Sequence, residues 1–158
     1  MSRITRIGLI STVVLVFVTC GTSLSKQNPS PIQKLGGLEK SLVNHGKDLL
    51  DMRGASEGRD SDAALMLMER ASQGFEYAES MATFLEIRNT VRNEADRRRI
   101  WPIIDRKRKQ YIGLLEVLIS DINIDITRVK SPGIAGLGAE VRLNIRQIKE
   151  VFEKEVRP

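Results

Sequence analysis

The sequence predicts an all-α protein, an antiparallel bundle of about four helices. In four separate segments, apolar side chains recur at intervals of three and four residues, which places them on one face of an α-helix. Short or modest connections join these segments, so consecutive helices are expected to pack antiparallel. With 158 residues, of which 41% are hydrophobic and 28% are charged, the chain has the length and composition of one modest globular domain.

The first helix is predicted to follow a flexible tether. Residues 20–31 are mostly small and polar and contain two prolines, a composition typical of linkers. The apolar positions that then predict the helix are Ile32, Leu35, Leu38, Leu42, Leu49 and Met52. The stretch 54–62 is rich in Gly, Ser and Asp and predicts a loop, in which Ser61 or Asp62 would cap the second helix.

The second and third helices are predicted from two longer patterns. These are Ala64, Met68, Ala71, Phe75, Ala78, Ala82 and Leu85, and then Ile104, Arg108, Tyr111, Leu115, Leu118, Ile122, Ile126 and Val129. Pro102 disfavours helix at the residue before it, because its ring clashes with that residue's backbone. Two arrangements are open: a third helix that is kinked near Pro102, or a break near residues 89–101 with Pro102 in the first helical turn.

The fourth helix is predicted over residues 134–156, after a turn at 131–133. One alternative concerns this part of the chain. Residues 121–127 and 141–145 alternate between polar and apolar side chains, as a half-buried β-strand does. The alternative fold is therefore α+β, with a β-hairpin within residues 121–146. We favour helices because each alternating run lies inside a longer helical pattern and because an isolated hairpin would lack a partner sheet.

The amino-terminal segment has the layout of an export signal. Arg3 and Arg6 precede an uninterrupted run of apolar or small residues over 7–18. This run is shorter than the ~20 apolar residues that a transmembrane helix needs, although retention as a membrane span stays an alternative. We predict that residues 1–19 are an export signal, whose removal would lower the net charge from +5 to +3.

The single cysteine, Cys20, directly follows this run. Residues 17–20, Phe-Val-Thr-Cys, resemble the end of a bacterial lipoprotein signal, in which the cysteine is lipidated and becomes the new amino terminus. The second residue fits the usual pattern, whereas the first and third depart from the commoner Leu and then Gly or Ala. The resemblance implies a lipid anchor at Cys20. Composition and periodicity predict that the lipidated cysteine and a tether occupy residues 20–31 and that a helical-bundle domain occupies residues 32–158. The alternative is an ordinary cleaved signal and an incidental cysteine.

Charge is distributed unevenly along the predicted helices. Residues 57–86 carry seven acids and two arginines, whereas residues 88–109 carry nine bases and three acids. One interpretation is internal: the acidic second helix pairs with the basic third helix, at ~0–1 kcal/mol for each exposed pair. The other is a contact surface for anionic lipid headgroups or an acidic protein. The residues of this surface, which we call the basic cluster, are Arg97, Arg98, Arg99, Trp101, Arg106 and Lys109.

Other polar residues have structural interpretations. His45 lies on or beside the first apolar face, and it lacks a second His or thiol with which to form a catalytic or metal-binding set. Asp121, Asn123 and Asp125 match the opening of a calcium-binding loop, but the glycine and glutamate required later in that loop are absent. We therefore expect Asp121 and Asp125 on a solvated helix face.

These observations together predict an exported, lipid-anchored protein of the bacterial envelope that acts as a non-catalytic interaction module. We expect no metal, no cofactor and no nucleic-acid partner; the partner would be an envelope protein or anionic lipid headgroups. The alternative function is binding of a small molecule in an apolar pocket between helices. The methionines that would line such a pocket are Met66, Met68 and Met81.

Overall fold

The computed structural model describes residues 28–158, which form four α-helices and contain no strand. The helices are α1 (Pro31–Gly54), α2 (Arg59–Thr90), α3 (Glu94–Arg128) and α4 (Pro132–Lys154). The all-α prediction is therefore confirmed. The hairpin alternative is wrong, because residues 121–146 hold the end of α3, a turn and the start of α4. The predicted export signal, Cys20 and most of the tether lie outside the described residues.

Helices α1 and α4 begin with side-chain caps. The Ser30 hydroxyl accepts a hydrogen bond from the backbone N–H of Gln33 at 3.3 Å, and the Gln33 side chain accepts one from the Ser30 N–H at 2.9 Å. This reciprocal pair satisfies two N–H groups that the start of a helix leaves free. In both helices a proline directly follows the capping serine, which is Ser30 in α1 and Ser131 in α4. Ser30 and Pro31 thus belong to the start of α1 rather than to the predicted tether.

Helix α2 begins earlier than predicted and without a side-chain cap. Its first residue is Arg59, and Gly58 precedes it with a φ of 57°, a conformation that glycine adopts at little cost. The predicted caps, Ser61 and Asp62, are wrong because both already lie in the first turn of the helix. Acidic side chains in that turn, Asp60 and Asp62, interact favourably with the positive end of the helix dipole.

The break between α2 and α3 falls at residues 91–93, within the predicted range, but Pro102 does not mark the start of α3. The cap is Asn93, whose side chain accepts a hydrogen bond from the N–H of Ala95 at 2.9 Å. Pro102 is the ninth residue of the helix, so its placement in the first turn is wrong. Proline has no N–H to donate to the carbonyl of Arg98, and the exposed position leaves that carbonyl open to water.

The four helices enclose one contiguous core with an up-down-up-down topology. Each helix packs against its neighbours in the chain and α1 packs against α4, while α2 and α4 also touch across the diagonal. Aromatic rings link three helices near one end, where Tyr77 stacks on Tyr111 at 5.2 Å between ring centres and Tyr111 lies 6.4 Å from Phe152. Close approach at α2 and α4 depends on Gly74 and Gly138, where a Cβ atom would lie within 3 Å of an isoleucine side chain.

The bundle has two distinct ends. At the entry end, where the described chain begins, Lys34 Nζ lies 2.7 Å from Glu155 Oε1, and Arg88 donates a hydrogen bond to the Arg157 carbonyl at 3.0 Å. At the opposite end, the turn end, Asp60 accepts a hydrogen bond from the Ser131 N–H at 3.0 Å. The entry end comprises residues 28–36, 86–102 and 152–158, and the turn end comprises residues 49–63 and 121–138. Within residues 28–158, no helix has an apolar stretch long enough to cross a bilayer.

Candidate functional site

The basic cluster lies on the first half of α3, starting at the entry end. Arg98 and Arg99 are 81% and 83% exposed, Lys109 is 69% exposed, and Arg106 is also exposed. Helical geometry puts Arg99 and Arg106, seven residues apart, in one row, and Arg98 and Lys109, eleven residues apart, in an adjacent row. The structure therefore brings four of the six predicted residues together on solvent-exposed faces.

The ion pairs of the cluster are formed within α3 itself. Arg98 pairs with Glu94 at 3.5 Å and Arg99 with Asp96 at 3.5 Å, whereas Lys109 pairs with Asp105 at 2.9 Å. Across residues 28–158, no acid of α2 lies within 4.0 Å of a base of α3, and Arg106 has no acidic partner at that distance. The expectation that the acidic face of α2 pairs with the basic face of α3 is therefore wrong.

Two bases of this segment hold the bundle together and are not free for a partner. Arg97 Nε donates a hydrogen bond to the carbonyl of Val91 at 2.6 Å, which fixes the turn between α2 and α3. Arg108, only 19% exposed, donates to Asp105 at 2.7 Å and to the carbonyl of Phe152 at 3.2 Å. Hydrogen bonds from Lys109 and Arg108 hold the pKa of the Asp105 carboxyl below its usual value. Arg97 was predicted to be part of the contact surface, but its hydrogen bond gives it a structural role.

Trp101 is half-buried at the entry end, beneath an arginine of α2. The Arg88 guanidinium lies 5.2 Å from the centre of the indole ring, a distance at which a cation is attracted to the ring face. Both residues line a shallow groove of about 230 Å³, together with Glu94, Arg97, Arg98 and Pro158. Trp101 could be identified from the sequence, whereas Arg88 could not, because no regular spacing in the sequence links the two residues.

The two ends of the bundle differ in charge. The entry end carries eight Lys or Arg and five Asp or Glu, a net charge of +3. The turn end carries four bases and six acids, a net charge of −2. Exposed charges act over about a Debye length, ~8 Å at physiological salt, so the entry end is the more positive of the two surfaces.

The ion pair between α2 and α3 has the opposite polarity from the expected one. Arg70 of α2 lies 3.3 Å from Asp121 and 3.7 Å from Asp125, so the second helix supplies the base and the third the acids. Asp125 is 4% exposed, which overturns its assignment to a solvated face; Asp121 is half-buried. The burial of Asp125 could have been predicted from the sequence, because Asp125 follows the buried Leu118 by seven residues and therefore shares its helix face.

Asp125 also borders a groove at the turn end. This groove has a volume of about 610 Å³, and Met66 and Val129 contribute to its walls. Met66 is 41% exposed, whereas Met81 is fully buried in the core and Met68 packs against the core. Met66 and Met81 are about 22 Å apart along the axis of α2, so the three methionines do not line a common pocket.

His45 belongs to a polar contact between α1 and α4. Its Nε2 lies 3.3 Å from the Ser41 hydroxyl, which accepts a hydrogen bond from the side chain of the buried Asn144 at 2.8 Å. The side chain is half-buried, which agrees with the predicted position of His45 on or beside the first apolar face. In the part of the chain that the structure describes, no group of three His, Cys, Asp or Glu side chains is arranged to hold a metal ion.

The turn between α1 and α2 contains a pattern that the sequence analysis missed. Residues 54–58 read Gly-Ala-Ser-Glu-Gly, which matches the Gly-x-Ser-x-Gly pattern of serine hydrolases. In those enzymes the serine stands at a sharp turn from a strand into a helix. Here the pattern connects two helices, so it lacks the local structure that exposes and activates such a serine.

Neither the protein-family models, nor the curated proteins, nor the solved structures contain a match to this chain.

Proposed function

We propose that the protein is an exported, lipid-anchored component of the bacterial envelope, which acts as a non-catalytic interaction module and binds an anionic partner through the basic cluster. The observation that carries the proposal is the exposure of Arg98, Arg99, Arg106 and Lys109 on α3, without acidic partners on any other helix within residues 28–158.

The local ion pairs leave these bases available to a partner. Exposed pairs at i,i+3 and i,i+4 on a helix contribute only about 0.3–0.5 kcal/mol each. An anionic surface can therefore replace Glu94, Asp96 or Asp105 as the partner at little cost. By contrast, Arg97 and Arg108 bind backbone carbonyls of the bundle, and their removal would damage the fold.

The first prediction separates binding from stability. In a variant with Arg98, Arg99, Arg106 and Lys109 replaced by Gln, we expect the melting temperature to change by less than about 5 °C, because each exposed surface substitution usually alters stability by ~0.5 kcal/mol or less. Binding to solubilised envelope components, measured by pull-down with the purified processed protein, should fall and lose its dependence on salt concentration.

The matched control removes the same number of positive charges elsewhere. It replaces two exposed bases of α1 and two of the turn end with Gln: Lys40, Lys47, Arg59 and Arg128. This control should keep its binding. Unchanged binding and unchanged salt dependence in the α3 variant, at a normal melting temperature, would refute the contact surface.

The second prediction concerns the anchor. If Cys20 is lipidated, the intact mass of the processed protein will correspond to residues 20–158 plus the mass of the lipid. Cys20→Ser should leave the chain unprocessed or misplaced, while Ser23→Ala, a change at a neighbouring small residue, should not. Recovery of an unlipidated chain beginning between residues 21 and 24 would exclude the anchor and indicate ordinary signal cleavage.

A further inference from the structure

We infer that the anionic partner is the lipid bilayer itself, and that the bundle docks on it with the entry end and the outward face of the first half of α3. This inference rests on the proposed function, because it assumes that the chain is anchored at Cys20. It adds the identity of the partner surface and the orientation of the bundle on it.

The covalent connection keeps the entry end within reach of the anchor. Ten peptide units join Cys20 to Ser30, and a chain of that length spans at most about 35 Å when fully extended. Ser30 caps α1 at the entry end. Helix α1 has 24 residues, so the turn end lies about 36 Å farther along the bundle axis. A bilayer that holds the lipid therefore lies within about 35 Å of the entry end, which has the net charge of +3 and is the end that an anionic surface attracts.

The outward face of α3 has the chemistry of a membrane-contacting surface. Arg99, Ile103 and Arg106 follow one another at spacings of four and three residues, so they share one face of the helix. Ile103 is 57% exposed between the two arginines, and Ile87 at the same end is 50% exposed. Basic side chains with an exposed apolar side chain between them suit the boundary between lipid headgroups and acyl chains.

A bilayer fits this face better than an acidic protein does. The apolar contribution consists of isolated side chains rather than a continuous patch, whereas the hot spots of stable protein interfaces are clustered and fully desolvated. Trp101 lies at the entry end on the other side of α3, half-buried against Arg88 of α2, and is of the residue type that is favoured at the headgroup level. Each base near an anionic membrane contributes ~1 kcal/mol, so Arg99 and Arg106 together would change the ratio of docked to undocked bundle about 25-fold.

The only tryptophan of the chain provides the test. The processed full-length protein is reconstituted into vesicles that contain brominated lipids, which quench tryptophan fluorescence on contact. We expect Trp101 to be quenched in vesicles of phosphatidylglycerol and phosphatidylcholine, and to be released in pure phosphatidylcholine or at high salt. Arg99→Gln with Arg106→Gln should lower the docked ratio about 25-fold in the anionic vesicles.

The control is the pair Arg59→Gln and Arg128→Gln, which removes two exposed bases from the turn end and should leave the quenching unchanged. Intact mass reports the anchor separately, so a lipidated protein whose Trp101 is equally quenched in both vesicle types overturns the docking inference and leaves the anchor in place. An acidic protein that abolishes the quenching in anionic vesicles, and whose binding needs Arg99 and Arg106, overturns the bilayer as the partner.

Discussion

The carboxyl group of Glu39 occupies a position that disfavours its charge. Burial raises its pKa above the ordinary value, and the nearby acids Glu79 and Glu86 raise it further. One of its oxygens, Oε1, is buried without a hydrogen-bond donor. The folded protein therefore binds this proton more tightly than the unfolded chain does, and stability falls as the pH rises through the folded-state pKa of Glu39.

This pH dependence gives a third prediction. Glu39→Gln removes the charge, so we expect the melting temperature at pH 7 to rise, by up to about 2 °C, and the difference from the wild-type protein to vanish below about pH 4. Thermal melts over this pH range provide the measurement. Glu57→Gln, which neutralises an exposed acid in the turn between α1 and α2, should leave the melting temperature unchanged both at pH 7 and below about pH 4. A lower melting temperature for Glu39→Gln at pH 7 would contradict the assignment.

At the scale of single residues, the exposure of a side chain could be predicted from the sequence better than the side chain with which it pairs. The exposed bases of α3 and the half-buried His45 lie as expected, since helical periodicity determines which face a residue occupies. The burial of Asp125 was misjudged although its spacing from Leu118 indicated it, whereas its partner, Arg70, lies 55 positions earlier in the chain and could not be predicted. Which side chain faces another across two helices depends on their relative rotation and axial shift, and a single sequence does not encode these quantities in any local spacing.

At the scale of the helices, glycine allows α2 to approach its neighbours closely. A Cβ atom at Gly74 would lie 2.9 Å from Cγ1 of Ile145 on α4 and 3.3 Å from Leu42 on α1. The distance of 2.9 Å is too short for a methyl group, so the Ile145 side chain or the helix that carries it would have to shift. At Gly46 on α1, in contrast, a Cβ atom would meet nothing within 4 Å.

This difference gives a fourth prediction, in which the same substitution has opposite effects at two positions. Gly46→Ala should stabilise the protein by ~0.5–1 kcal/mol, because alanine is the better helix former and meets no neighbour. Gly74→Ala should destabilise it by ~1 kcal/mol, since overpacking costs ~1–3 kcal/mol and exceeds the gain in helix propensity. Urea denaturation of the two variants provides both values. A gain in stability for Gly74→Ala would show that Ile145 moves aside without cost.

The existence of the four helices could be predicted because their apolar residues repeat over many turns, and burial of that face is what holds each helix in the bundle. Their boundaries were less predictable. Pro102 suggested a helix start, yet Asn93 caps α3 nine residues earlier and the helix continues through the proline. A cap of one side chain contributes about 1 kcal/mol and leaves only a weak mark in the sequence, and Ile100 and Trp101, which precede the proline, pack against the core.

At the scale of the whole molecule, the bundle forms one packing unit. Buried side chains from all four helices belong to a single cluster, in which α2 and α4 touch across the diagonal. The short connections predicted the antiparallel arrangement. They did not predict which two diagonally opposite helices of the bundle would come into contact. Gly74 explains this outcome, because the absence of a side chain there leaves room for Ile145 of α4.

A fifth prediction follows from the single core. The processed protein should show a helical circular dichroism spectrum and should melt in one cooperative transition, whose midpoint is the same with and without a chelator or a reductant. The physical reason is that apolar burial by all four helices supplies the stability, and that the one cysteine cannot form an intramolecular disulfide. Two separate transitions, or a midpoint that falls with the chelator, would contradict this account.

The contact between the first and last helices has a topological consequence. Lys34 of α1 and Glu155, which follows α4, lie 2.7 Å apart, so the described chain enters and leaves the bundle at the same place and is nearly a closed ring. A short linker from residue 158 to residue 28 would close that ring, and a cut in the turn at residues 55–58 would open it at the opposite end. A circular permutant made in this way would keep the same four helices but would present any segment attached to its new start at the acidic end of the bundle.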